Sequence, residues 1–246
     1  MKKTIYILSF FTAFAMLVES CEIDNFPRPD AQVYGAIRDS VGGGLIETDI
    51  QNGSQIGAYE QGFETPELRN WVVKQNGEYR NNLVYSNTYD FVFQNCNFFP
   101  YTLKGVVIKP GANERDFLVV PYIRVLSPSI TYDASTKKIN ATFRLQAGKP
   151  SVQVSRVTLY VFTDIYVGEY VKKTIVAGTG VPTMNITGAN RIIDPERIYN
   201  LSIDLNANAS VFEIHRNYYF RIGAQAIQSG VGTVRPNYAP AVKIAL

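Results

Sequence analysis

Apolar residues recur at every second position in several short stretches of this chain. Ala141, Phe143 and Leu145 alternate with polar residues in one of them, and the same spacing recurs in Tyr89–Phe93, Val157–Val161, Tyr199–Leu205 and Tyr218–Ala224. Side chains of a β-strand point to opposite faces in turn, so this period indicates strands with one buried face. Clusters of Gly, Pro, Asn and Asp separate the stretches, and no long segment has a helical period. The pattern predicts an all-β fold built as a β-sandwich.

The chain is long enough for two sandwiches in tandem, each able to bury its own core. A proline and two serines interrupt the apolar pattern at Leu126–Ser129, and the alternation restarts after them. We therefore predict one domain over 31–126 and a second over 127–246. Just before this point, Phe117–Val125 is almost continuously apolar, and Pro121 restricts it to an edge strand or a bulge.

The N-terminus has the parts of a secretory signal. It carries two lysines, an apolar run over Thr4–Val18 that is too short to span a bilayer, and the small residue Ser20 before Cys21. The sequence Val18–Cys21 resembles a bacterial lipobox, in which the cysteine is acylated and becomes the new N-terminus. We predict a signal peptide over 1–20 and lipidation at Cys21. The alternative is an ordinary signal whose first mature residue is a cysteine.

The segment after the cysteine has little that could pack in a core. Glu22–Asp30 contains three acids and two prolines, so residues 21–30 are predicted to form a flexible tether. Acidic residues directly after a lipidated cysteine resemble the signal that sends Bacteroidetes lipoproteins to the outside of the outer membrane. This resemblance implies an outer-membrane lipoprotein facing the cell exterior, with the periplasmic face as the alternative. Glu19 is an unusual residue within a lipobox.

Charge and cysteine content exclude some partners. The net charge is +3, and it falls to +2 without the signal peptide, which removes Lys2, Lys3 and Glu19. A near-neutral chain without a basic run gives no electrostatic basis for binding nucleic acid. Cys96 has no second cysteine or histidine beside it, so neither a metal site nor a redox pair is indicated. We predict a buried, inert thiol, with a second lipid site or an intermolecular bridge as alternatives.

Longer motifs resemble known domains. Tyr34–Asp39, followed by a glycine turn, and Trp71–Tyr79 around Asn76-Gly77 resemble a transthyretin-like or carboxypeptidase-regulatory-like sandwich. Tyr219–Ala224 resembles the penultimate central strand of a fibronectin-III or immunoglobulin-like module, and Asp116–Val125 stands at the junction. The order of these motifs along the chain is similar to that in the Bacteroidetes lipoprotein family called domain of unknown function 3823. The resemblance implies a setting beside the importers of polysaccharide-utilisation systems, and hence glycan capture.

No motif for catalysis is found. His215 is the single histidine and has no nucleophile elbow or second metal ligand beside it, so it is predicted to lie in a surface loop. Gly42–Gly44 lacks the Lys and Ser/Thr of a phosphate loop and is predicted to be a turn. Four acidic residues are predicted to be turn formers rather than acids or bases: Asp133, Asp164, Asp194 and Glu196. We predict a protein that is not an enzyme and has no cofactor and no metal site.

Six residues are the candidates for ligand binding: Trp71, Tyr160, Tyr219, Arg235, Asn237 and Tyr238. Sugars dock on aromatic faces, which selects Trp71, although a lone Trp in a small sandwich is more often part of the core. Tyr160 and Tyr219 fall opposite the predicted core face of their strands, where they either form an exposed patch or cover a domain interface. The segment around Tyr238 mixes aromatic and polar residues, as sugar sites do.

The leading hypothesis is therefore a non-catalytic surface lipoprotein that binds an oligosaccharide or assists an outer-membrane importer. Its partners would be the outer membrane, through the lipid on Cys21, an oligosaccharide ligand and an importer complex. A structural adhesin or fimbrial subunit is the first alternative, and a glycosidase is the second.

Overall fold

The computed structural model describes residues 27–246 as an all-β chain with two hydrophobic cores. The predicted signal peptide, Cys21 and residues 21–26 of the predicted tether lie outside the described residues. Residues 27–30 have no regular secondary structure before the first strand begins. Within 27–246, no helix has the length and apolar character that crossing a bilayer requires.

The first domain contains eight strands: β1 (Ala31–Asp39), β2 (Gln55–Glu60), β3 (Leu68–Val72), β4 (Glu78–Val84), β5 (Thr88–Phe93), β6 (Tyr101–Val107), β7 (Gly111–Glu114) and β8 (Phe117–Val119). One sheet has the order β4-β1-β7, with β8 also paired to β1, and the facing sheet has the order β3-β2-β5-β6. The strands within the second sheet are antiparallel, whereas β7 and β8 run parallel to β1.

The core of the first domain is rich in aromatic rings. Phe91 and Phe93 are fully buried on β5 and pack edge-on against Phe117, with ring centroids 5.4 and 4.8 Å apart. The predicted alternation of Tyr89–Phe93 is confirmed, since Asp90 and Val92 face outward and are only partly buried. Cys96 is also buried here as a free thiol, and burial raises its pKa to about 11, so it stays protonated at neutral pH.

The second domain also contains eight strands: β9 (Ile123–Asp133), β10 (Lys138–Ala147), β11 (Gln153–Phe162), β12 (Thr183–Asn185), β13 (Tyr199–Asp204), β14 (Asn217–Ile227), β15 (Asn237–Tyr238) and β16 (Val242–Ala245). A short 3-10 helix spans Gly188–Arg191. One sheet has the order β13-β10-β9, and the other has the order β12-β11-β14-β15, with β16 also paired to β14. The apolar positions of the four predicted strands face each other across this sandwich. The prediction of two β-sandwiches in tandem is confirmed.

The segment where the sequence predicts the domain boundary lies inside a strand. Leu126–Ser129 belongs to β9, which pairs with β10 along almost its whole length. The pairing register shifts there, and Ser127 has a φ of 46°, so the Ser-Pro-Ser interruption is a β-bulge. The apolar run breaks earlier, at Pro121: Val119 belongs to the first core and Tyr122 to the second.

The Asn76-Gly77 pair, a combination typical of hairpin turns, forms a turn that joins two different sheets. Gly77 has a φ of +86°, and a Cβ at this position would lie 2.5 Å from the Ile46 carbonyl oxygen. Both the conformation and the space therefore require glycine. An isolated bridge between Val73 and Tyr79 closes the turn, after which β3 and β4 continue as edge strands of the two facing sheets.

Candidate functional site

A groove of about 710 Å³ opens at the side of the first sandwich, between the edge strands β3 and β4. Val73 and Tyr79 form a bridge beside the turn at Gly77. Farther from this turn, β3 and β4 each pair only with strands of their own sheet. The groove is lined by residues of both edge strands together with residues of β2, of β5 and of the loops around them. Its volume lies in the range of small-molecule sites, which is roughly 300–1,000 Å³.

Trp71 forms part of the groove lining and also belongs to the core. Its side chain is 7% exposed, and its ring packs against Tyr89 and Phe91 with centroids 6.3 and 5.3 Å apart. Tyr89 also lines the groove, and its hydroxyl donates a hydrogen bond to the Tyr85 carbonyl oxygen at 2.9 Å. Burial raises the pKa of Tyr89 and keeps this donor protonated. These contacts hold the groove lining rigidly in place.

Three apolar or aromatic side chains lie exposed together around the groove. Phe63 is 62% exposed, Leu83 77% and Tyr85 39%. Leu83 reaches the surface because β4 has a bulge: Val84 pairs with Ala31 but Asn81 pairs with Val33, which leaves an extra residue on β4. The Asn81 carboxamide oxygen accepts the Leu83 N–H at 3.0 Å and fixes the bulge. Bulges commonly re-aim a side chain in this way.

Polar groups complete the lining. Arg69 and Asn70 are exposed on β3, and Asn81 lies opposite them on β4. Glu60 on β2 accepts a hydrogen bond from the Asn87 carboxamide nitrogen at 3.1 Å, which orients its carboxylate. The groove therefore combines aromatic and aliphatic surface with side chains that donate and accept hydrogen bonds. Among the described lining residues, one is acidic and one is basic, so their formal charges balance.

This arrangement suits binding better than hydrolysis. Glycoside hydrolysis uses a pair of carboxyl groups on either side of the bond that is cleaved. Among the described residues that line the groove, Glu60 is the single carboxylate. In the described part of the chain, His, Cys, Asp and Glu form no cluster of three that could hold a metal ion. His215 lies exposed in the loop before β14, as predicted.

Of the six predicted ligand-binding residues, the structure places Trp71 in this groove and the other five in the second domain, near its junction with the first. Asn237 is 3% exposed; its carboxamide oxygen accepts the Ile123 N–H at 3.0 Å, and its nitrogen donates to the Asn97 carbonyl oxygen at 2.7 Å. Arg235 donates from Nε to the Asn95 carbonyl oxygen at 2.5 Å and also reaches the backbone of the first domain at Asn52. These polar groups are already used in joining the two domains.

The tyrosines cover the outer face of β11 and β14. Tyr160 and Tyr238 are 3% and 8% exposed and form a small cluster with Val167, against which Tyr219 packs half-buried. Their ring centroids lie 6.1 Å apart. Tyr160 is buried beside Tyr238, whose hydroxyl reaches Asp49 of the first domain, whereas Tyr219 is only partly buried in this cluster. Little of Tyr160 and Tyr238 is left for a ligand to contact.

Arg221 is the centre of this junction, and sequence reasoning missed it. Its side chain is fully buried, and its guanidinium lies over the Tyr238 ring at 4.1 Å. It donates to the Glu47 carboxylate at 2.6 Å, and to the carbonyl oxygens of Thr48, Val167 and Ala239 at 3.0, 3.1 and 3.1 Å. Glu47 and Thr48 belong to the first domain, so the hydrogen bonds of Arg221 link the two sandwiches. Burial lowers the pKa of Arg221, but an arginine stays charged in proteins.

Further contacts make the junction a continuous polar network. The Tyr238 hydroxyl donates to Asp49, and the other Asp49 oxygen accepts the Glu169 N–H at 3.1 Å. Burial raises the pKa of Asp49 despite these bonds. On the neighbouring side, Arg124 makes a two-point ion pair with Asp39, at 2.5 and 2.7 Å. Buried polar groups paired this fully resist relative motion of the two domains.

The residues that shape the groove carry little signal in the sequence. Phe63 stands between Gly62 and Glu64, outside any alternating stretch, and lies in a loop. Leu83 continues the pattern of β4 and would be assigned to the core without the bulge. The one available signal is the adjacent apolar pair Leu83-Val84, which interrupts the alternation of β4 where the bulge occurs.

The fold and the groove define a class of two-domain β-sandwich proteins with an aromatic groove at the edge of the first sandwich. The chain belongs to the DUF3823 family. Residues 31–120 match the profile described as "Protein of unknown function (DUF3823) N-terminal domain", and residues 123–243 match the one described as "Domain of unknown function (DUF3823_C)". The predicted family resemblance is thereby confirmed.

Solved structures of related proteins share this fold. A "putative carbohydrate binding protein" from Bacteroides uniformis is 45% identical, with a TM-score of 0.82, and the alignment covers 89% of this chain and 100% of that one. DUF3823 family proteins from Bacteroides ovatus and Parabacteroides merdae are both 17% identical with TM-scores of 0.69; the alignments cover 87% and 89% of this chain and 98% and 100% of theirs. A comparison with the curated proteins gives no match.

Proposed function

We propose that this protein is a non-catalytic carbohydrate-binding protein, and that the groove between β3 and β4 binds the glycan. The observation that carries the proposal is the groove's composition: exposed Phe63 and Tyr85 stand beside Arg69, Asn70 and Asn81 over a rigid lining that includes Trp71. Aromatic faces take the apolar C–H side of a sugar ring, while carboxamides and charged groups bind its hydroxyls. The lack of net charge in the lining favours a neutral glycan.

The 45% identical protein from Bacteroides uniformis supports the same ligand class, because it is described as a "putative carbohydrate binding protein". We further propose that the mature protein is a lipoprotein held at the outer membrane through Cys21, facing the cell exterior, where it would present captured glycan to an importer of a polysaccharide-utilisation system. Mass spectrometry of the mature N-terminus tests the lipid, and protease accessibility on whole cells tests the orientation.

Glycan binding is tested by affinity gel electrophoresis and calorimetry with a panel of neutral polysaccharides and their oligosaccharides. We expect at least one to retard the mature protein. Phe63→Ala and Tyr85→Ala should each weaken that binding about tenfold, since each removes a stacking surface worth about 0.5–1.5 kcal/mol beyond its buried area. Tyr170→Ala is the matched control, because Tyr170 is an exposed tyrosine of the second domain, 51% accessible.

Two results would overturn the proposal. The first is a complete lack of retardation across the panel. The second is glycan binding that is unchanged in both Phe63→Ala and Tyr85→Ala, which would show that the glycan binds another surface.

A further inference from the structure

A basic cleft lies at the side of the C-terminal sandwich, along strand β11. It has a volume of about 220 Å³ and is lined by residues of β11, of the segment 169–175 and of the start of β12. The Lys173 N–H donates to the Val161 carbonyl oxygen and the Leu159 N–H donates to the Pro182 carbonyl oxygen, both at 2.8 Å. These bonds fix the chain on both sides of the cleft against β11.

Three cations and one carboxylate line this cleft. The Glu169 carboxylate contacts Arg156 Nη2 at 3.0 Å and Lys172 Nζ at 3.2 Å. Lys173 makes no ion pair with any of the described residues, and its ammonium lies over the Phe162 ring, 5.9 Å from the centroid. Because three positive charges face one negative charge, the lining as a whole is positively charged.

The charged groups of the cleft are accessible to a ligand. The side chains of Arg156 and Lys172 are 34% and 39% exposed, and Lys173 is exposed as well. A cleft lined by one sign of charge concentrates ions of the opposite sign. An arginine presents five N–H donors in a planar fork, and Glu169 meets only one nitrogen of Arg156, so this guanidinium retains donors for a second carboxylate.

The remaining lining indicates that the ligand carries hydroxyl groups beside its negative charge. Thr158, Thr174 and Thr183 contribute hydroxyls, which both donate and accept hydrogen bonds. Thr158 and Thr183 pair across β11 and β12, with their hydroxyl oxygens 3.3 Å apart. A bare inorganic anion would be repelled by Glu169 and would leave the threonines unused. A hydroxylated carboxylate can instead donate its hydroxyl protons to Glu169 while its own carboxylate meets the cations.

We propose that this cleft is a second ligand site, which binds a hydroxylated carboxylate of the size of one uronic acid ring. The ligand carboxylate would contact Arg156 and Lys173, and the ligand hydroxyls would bond to Glu169 and the threonines. The site would therefore add an acidic sugar to the neutral glycan proposed for the groove. The inference rests on the charge of the cleft and does not require the groove to bind glycan.

The test is an NMR titration of the ¹⁵N-labelled mature protein, at low ionic strength, with galacturonate and glucuronate, each compared with its neutral parent, galactose or glucose. We expect at least one uronate to shift the amide signals of Arg156, Lys172, Lys173 and Thr183 in a saturable manner. Its affinity should exceed that of the parent sugar about tenfold, because a hydrogen bond to a charged group is stronger than one between neutral groups. The lack of saturable shifts, or equal affinity for the neutral parent, would overturn the inference.

Sulfate and phosphate distinguish a hydroxylated carboxylate from a bare anion. Both ions should bind more weakly than the uronate, because they cannot donate hydroxyl protons to Glu169 as a sugar ring does. Sulfate or phosphate binding as tight as that of the uronate would overturn the assignment of the ligand class.

Lys173→Gln tests the contribution of charge without disturbing an ion pair. The affinity for the uronate should fall about tenfold while the thermal midpoint stays the same, because the replaced side chain is exposed. Lys104→Gln, at an exposed position on β6 of the first domain, is the matched control and should change neither quantity. Unchanged uronate affinity in Lys173→Gln, or an equal loss in Lys104→Gln, would contradict the proposal.

The same titration in the Phe63→Ala/Tyr85→Ala protein distinguishes this inference from the proposed function. Shifts around Lys173 should persist there at full amplitude. If no glycan binds the groove but the cleft still titrates with a uronate, the proposed function fails and the second site stands. If the groove binds glycan and the cleft does not titrate, only the second site fails.

Discussion

The groove of the first sandwich and the junction between the domains have similar compositions, but the junction is buried whereas the groove is open to solvent. Both combine tyrosine or tryptophan with arginine, asparagine and acidic residues. At the junction, Arg221 is fully buried and its donors meet four protein oxygens, whereas Arg69 at the groove is exposed. At the groove, Phe63 and Leu83 remain largely accessible, whereas Tyr238 at the junction is covered. Aromatic and polar composition alone therefore does not separate a ligand site from a domain interface. Accessibility and hydrogen-bond satisfaction do.

The largest effect on stability is expected from Arg221→Met. Removal of the guanidinium leaves the Glu47 carboxylate buried without its counter-charge, which should cost about 3–5 kcal/mol in the free energy of unfolding. Urea unfolding measures this loss. Arg144→Met is the control, because its ion pair with Glu196 is exposed and should contribute only about 0–1 kcal/mol. Equal effects of the two substitutions would show that the junction is not the stronger element.

A smaller loss is expected from Asn237→Ala. The substitution leaves the Ile123 N–H and the Asn97 carbonyl oxygen without their partner, at a cost of about 1–3 kcal/mol. The affinity of the folded protein for a groove ligand should not change, as calorimetry below the unfolding transition will show. The reverse result, weakened glycan binding at unchanged stability, would restore Asn237 as a sugar-binding residue.

The pH dependence of stability should differ in sign between Asp49, whose carboxyl pKa is raised by burial, and Asp204, whose carboxyl pKa is lowered by hydrogen bonds. Burial raises the pKa of Asp49 above 3.8, so the folded protein binds this proton more tightly than the unfolded chain. The contribution of Asp49 to the free energy of unfolding is fully present below pH 3.8. It is lost as the pH rises through the pKa that Asp49 has in the folded protein. Hydrogen bonds from Thr179 lower the pKa of Asp204 to about 2, so its contribution is present above 3.8 and is lost as the pH falls towards 2.

These opposite slopes are isolated by comparing urea unfolding of the wild type with Asp49→Asn and with Asp204→Asn at a series of pH values. On acidification, the free energy of unfolding of the wild type should increase relative to that of Asp49→Asn. It should decrease relative to that of Asp204→Asn. Slopes of the same sign for both variants would contradict the assignment of Asp49 to a desolvated site.

The smallest effect on stability is expected at the groove itself. Leu83→Ser replaces a side chain that is 77% exposed, and surface changes of this kind usually stay within about 0.5 kcal/mol. The same change should weaken glycan binding, because it removes apolar surface from the lining. Val107→Ser, at an exposed position on β6, should change neither quantity. A large loss of stability from Leu83→Ser would instead assign that residue to the core.

Much of the fold follows from local patterns in the sequence. The inward faces of β5, β10, β11, β13 and β14 agree with the alternation of apolar residues, and the turn at Gly77 agrees with the Asn-Gly pair. The sequence leaves core and ligand site as alternatives for Trp71; its side chain lies in the core and also borders the groove. The groove as a whole was not predictable, because it depends on which strands lie at the sheet edges and on the bulge before Val84.

The sequence by itself determined which segments form strands, which face of each strand is apolar and where the chain turns, because these properties depend on residues a few positions apart. The tertiary structure decided which polar side chains are buried and which apolar ones stay accessible. Arg221 lies on the face of β14 that alternation assigns to solvent, yet it is covered by Glu47 and Thr48, 174 and 173 positions away in the chain. A hydrogen bond at that separation exists only after the two sandwiches have docked, and no local pattern encodes it.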